Sequence, residues 1–70
     1  MKLVPLASGN GHTIDGVIVK FQRGWAWSLV VDAKQNPRAI PGACGTAKTV
    51  AEAVDACGEC WFTMAHSKQA

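Results

Sequence analysis

The chain has 70 residues, 49% of them apolar and 17% charged, with a formal net charge of +2. These values exclude a disordered chain and a multidomain enzyme, and they describe one small α+β domain, residues 1–70, with a modest core. So small a charge makes no case by itself for a nucleic-acid partner.

In chain order, residues 2–7 read as a short strand, placed at a sheet edge because Pro5 lacks an amide hydrogen. Ser8 to His12 read as a loop, with Asn10-Gly11 as a turn pair tolerant of positive φ. Residues 13–22 and 25–33 read as a β-hairpin. A three-residue loop, Gln22-Arg23-Gly24, pairs Phe21 with Trp25 and Val19 with Trp27, gathering Val17, Val19, Phe21, Trp25, Trp27, Leu29 and Val31 on one face. The opposite face then carries Ile18, Lys20, Ala26, Ser28 and Val30. Lys34 to Gly45, with Pro37, Pro41, Gly42 and Gly45, reads as a long loop anchored by Ile40.

Thr49-Val50-Ala51-Glu52 is a capping box, and it opens a helix expected to run from Val50 to Cys57 and to stop at Gly58. Cys60 to His66 alternates and reads as a last strand, followed by a frayed tail, Ser67 to Ala70. The predicted architecture is α+β: a three- to four-stranded, mainly antiparallel sheet with one helix on one face, in the order β-ββ-α-β.

Several residue sets could carry chemistry or recognition. Gly42-Ala43-Cys44-Gly45-Thr46-Ala47-Lys48-Thr49 resembles the phosphate-binding loop of nucleotide hydrolases, but Ala47 stands where that loop needs its second glycine, and a Gly-rich turn before a capped helix explains the string. Cys57 and Cys60 form a C-x-x-C pair that Cys44 and His66 could complete as a Cys₃His zinc site. Set against it is the reading of free cysteines as small apolar fillers, supported by the odd number of cysteines and a reducing compartment. No paired carboxylates or nucleophile–base spacing stand out, so the chain is expected not to be an enzyme and to need no cofactor.

Glu52, Asp55 and Glu59, spaced i, i+3, i+7, form an acidic stripe on the helix, offered to a basic partner. Ile18, Lys20 and Val30 mark the second sheet face as another partner surface, for a homodimer or a different protein. The rival set, Lys20, Arg23, Lys34 and Arg38, would contact nucleic acid. Neither a signal-peptide core nor an apolar run of membrane-spanning length is visible, so no membrane association and a cytoplasmic location are expected.

With its hairpin, capped helix and acidic stripe and without a catalytic set, the chain resembles, in general type, small phage and mobile-element proteins of the anti-CRISPR kind. That resemblance implies a protein partner, a CRISPR effector subunit, blocked stoichiometrically without turnover in the host cytoplasm. It carries over no site residues, since such proteins share no common motif.

Overall fold

A computed structural model describes residues 2–67. Four strands and one helix follow one another: β1 Lys2–Gly9, β2 His12–Phe21, β3 Gly24–Val31, β4 Arg38–Ala47 and α1 Val50–Ser67. The strands form an antiparallel meander in the order β1-β2-β3-β4, and α1 packs across one face. The expected α+β class, antiparallel sheet and single covering helix all hold. The order of the later elements differs, because the fourth strand precedes the helix.

β1 is an edge strand, as Pro5 requires. Asn10 (φ 53°) and Gly11 (φ 80°) close a two-residue turn between Gly9 and His12, with the positive φ at both positions that matches strand twist. The loop expected from Ser8 to His12 thus contracts to two residues, and its flanks belong to strands.

The β2–β3 register departs from expectation. Phe21 pairs with Gly24, Lys20 with Trp25 and Ile18 with Trp27, so the turn is Gln22-Arg23. Gly24 does not supply a left-handed residue, and its φ is not positive. It is glycine because a β-carbon there would lie 2.7 Å from the Ala47 carbonyl oxygen. The one-residue slip exchanges the faces of the two strands relative to one another. Ile18, Trp25, Trp27 and Leu29 point toward α1, whereas Val17, Val19 and Phe21 point away.

Residues 38–47 form β4, not a loop. Pro41 and Gly42 are absorbed in a bulge: between the pairs Ser28–Cys44 and Val30–Ala39, residues 40–43 face Leu29 alone, with Gly42 at φ 79°. Ile40 packs against the core, as anticipated. Gly45 leaves room for the Trp27 indole, whose nearest atom would lie 2.9 Å from a β-carbon.

The helix begins at the expected capping box. Glu52 N–H donates to Thr49 Oγ1 at 3.1 Å, and the Glu52 carboxylate accepts from the Lys48 amide at 3.2 Å. It does not stop at Gly58, and the strand expected from Cys60 to His66 is the second half of α1. The reason lies in period: Val50, Ala53, Val54, Cys57, Cys60, Trp61 and Met64 recur at steps of three and four and meet the core as one stripe. Of the tail expected to fray, Ser67 ends the helix, and residues 68–70 lie outside the described residues. The helix is not apolar enough to cross a membrane.

The core is small. Ile18, Leu29, Ala43, Ala53 and Cys57 are its buried apolar side chains among the described residues, ringed by half-buried neighbours including Trp25, Trp27 and Trp61.

Candidate protein-binding surfaces

At about 100° per residue, the helix places Glu52, Asp55, Glu59, Phe62 and His66 on one outer ridge, directly opposite the core stripe. All five are exposed. The acidic stripe therefore exists as expected, and the helix extends it. Glu52 is partly engaged in the cap, while Asp55 and Glu59 form no ion pair among the described residues. Phe62 is 62% exposed and stacks on His66 with ring centroids 3.9 Å apart. His66 Nδ1 lies 2.8 Å from the Phe62 carbonyl oxygen, so its N–H donates back along the helix and holds the ring against Phe62. An open groove of about 670 Å³ borders this ridge, lined by Trp27, Glu59, Phe62 and Thr63 among others. The sequence alternation places Phe62 in a strand, beside Ile18 and Val30 on the outer sheet face, and not on a helix ridge. The 3-4-3-4 spacing of residues 52, 55, 59, 62 and 66 was the available signal.

The sheet face turned away from α1 is the second surface. β2 contributes Val17, Val19 and Phe21, and β3 contributes Ala26, Ser28 and Val30. Cys44 and Thr46 of β4 lie opposite Ser28 and Ala26. Of the three residues expected here, only Val30 belongs. Ile18 is fully buried beneath α1, and Lys20 lies in the same row as Ile18, its ammonium 5.0 Å from the Trp25 ring centroid. The register slip is the cause of both corrections.

The four cations grouped as a nucleic-acid surface are divided by the fold. Lys20 and Arg23 lie at the Phe21–Gly24 end of the sheet, beside Lys2 and Lys48. Lys34 and Arg38 lie at the other end, beyond or beside Val31.

The cysteines are also dispersed. Cys44 is exposed on the open sheet face, Cys57 is buried under α1, and Cys60 is half-buried with its Sγ 3.9 Å from Met64 Sδ. With His66 on the outer ridge, the Cys44, Cys57, Cys60 and His66 set does not converge, and no metal-ligating group of three forms among the described residues. Burial, and then the neighbouring Cys60, push the Cys57 thiol up from its ordinary range. The phosphate-loop resemblance also dissolves, because Gly42 to Ala47 lie in β4.

One polar cluster was not foreseen. Asp32, at φ 54° and 9% exposed, directly follows β3. Its carboxylate accepts from His12 Nδ1 at 2.9 Å and from the Thr13 amide at 3.1 Å, and Arg38 approaches to 3.7 Å. The His12 hydrogen bond foremost, then the Thr13 amide, and then the charges of His12 and Arg38 hold this carboxyl below its ordinary range, against the opposing effect of burial. The Asp32 amide also donates to the Thr13 carbonyl at 2.9 Å, so the cluster ties the start of β2 to the end of β3.

Comparison with protein-family models, with characterised proteins and with solved structures returned no match.

Proposed function

We propose that this chain is a non-catalytic protein-binding domain that presents the outer ridge of α1 to a basic groove on its partner. One observation carries the reading: a largely exposed phenylalanine, Phe62, continues a ridge whose other members are Glu52, Asp55, Glu59 and His66. A solvated helix face has no need of an exposed aromatic. An aromatic anchor beside charges that steer encounter is the composition of a binding hot spot. Spacing by threes and fours is how a helix laid in a groove is read.

The finer form of the proposal is inhibition in a bacterial cytoplasm, with the acidic ridge occupying a groove of a CRISPR effector that otherwise holds nucleic acid. The rival nucleic-acid reading asks Lys20, Arg23, Lys34 and Arg38 to make one surface, and they lie at two ends of the sheet.

The test is capture from lysate of a CRISPR-bearing bacterium, with mass spectrometry, using the wild-type chain and the Asp55→Lys/Glu59→Lys/Phe62→Ala variant. Both should show the same helical circular dichroism. The wild type should retain an effector subunit in a salt-sensitive manner, and the variant should not. Equal retention by both chains, or none by the wild type, defeats the proposal.

A further inference from the structure

We propose that a second copy of this chain covers the open sheet face, giving a homodimer of two sheets packed face to face with the helices outside. That face is distinct from the α1 ridge, and its occupant does not depend on what the ridge binds.

One helix covers one face of a sheet, and the buried apolar side chains of this 70-residue chain are only five among the described residues. Chains of this size commonly complete their core by association. The open face is also apolar at its centre. Val19 and Phe21, 44% and 45% exposed, are two of the three large apolar side chains the described residues leave exposed, and both lie on it. Val17, Ala26, Ser28 and Cys44 complete an uncharged centre, while Arg23 lies at one end and Lys34 at the other, where Asp15 is buried. An apolar centre with a charged rim is the anatomy of a protein interface.

Both edge strands are blunted, β1 by Pro5 and its bulge and β4 by Pro41 and its bulge. Sheet extension from edge to edge is thereby disfavoured, and association through the face remains. Four strands of eight or so residues, at about 4.8 Å between strands and about 3.3 Å per residue, present roughly 500 Å² of plane per copy, or roughly 1,000 Å² for a pair, which reaches the lower bound of a specific interface. The uncharged centre of the face offers no charge pattern for selecting a foreign partner, whereas a second copy brings the same apolar rows at the moment of folding.

Light scattering and sedimentation of the full chain, over a micromolar dilution series, test the inference together with the alkylation rate of Cys44 located by mass spectrometry. The expected result is a mass of twice 7.4 kDa at the concentrated end. Cys44 alkylation should slow there by about tenfold, the ratio set when nine-tenths of the chain is dimeric. Val19→Lys should be monomeric with Cys44 alkylating at the dilute rate, and Asp55→Lys on the ridge should leave the mass unchanged. A monomer throughout, a dimer in which Cys44 reacts freely, or a folded Val19→Lys chain that still dimerises overturns the inference. If Val19→Lys does not fold, the concentration dependence of Cys44 in the unaltered chain decides alone.

Discussion

A β-carbon on Gly16 would stand 2.7 Å from Cys57 Sγ and 3.0 Å from Cys57 Cβ. Strand β2 therefore accepts α1 at the level of Cys57, a buried thiol lying in the notch that glycine leaves. Gly16→Ala should destabilise the domain by about 1–3 kcal/mol through overpacking. Cys57→Ala in the same chain should recover part of that loss, because the closest atom is then gone. A double-mutant cycle from urea midpoints checks this, and additive effects contradict it.

Gly58 offers the reverse case. It lies inside α1, has no positive φ, and a β-carbon on it would meet nothing within 4 Å. Gly58→Ala should stabilise the chain by about 0.5–1 kcal/mol. A rise in melting temperature with unchanged far-ultraviolet dichroism is the expected outcome. Destabilisation would mean that the helix ends there after all.

The Asp32 cluster sets a pH dependence. Its carboxyl is held below the ordinary value of 3.8, first by the His12 hydrogen bond. The stability it contributes is complete above that value and is lost as pH falls through the lower, folded-state value. The difference in urea midpoint between wild type and Asp32→Asn should thus shrink on acidification below the ordinary carboxylate range. A difference that grows below that range contradicts the assignment.

Thiol reactivity should follow burial. In dilute protein, Cys44 should alkylate first, Cys60 more slowly, and Cys57 only on unfolding, since it is buried and its thiol is pushed up by that burial and by Cys60. Peptide mapping after timed quenching reads the order, and early modification of Cys57 argues against its place under α1.

Much of the local structure was legible in the residues. The edge position of β1 follows from Pro5, the first turn from Asn10-Gly11, and the start of α1 from Thr49 and Glu52, because each rests on the chemistry of one or two neighbouring side chains. The acidic stripe was legible for the same reason, since i, i+3, i+7 on a helix needs no knowledge of the rest of the fold. Phe62 and His66 were hidden by a competing period: Trp61, Thr63 and Ala65 alternate as a strand does, and Gly58 resembles a stop.

What the chain determined alone is its size class, its α+β composition, its N-terminal helix cap and its tight first turn, all set by short-range sterics and hydrogen bonding. Tertiary structure decided which way β2 and β3 face, because Gly24 must clear the Ala47 carbonyl and Gly16 must admit Cys57, and both partners lie far along the chain. That choice of face turned Ile18 inward and Val19 and Phe21 outward. Packing likewise carried α1 through Gly58, since burying Cys60, Trp61 and Met64 against the sheet outweighs the helix-breaking tendency of one glycine.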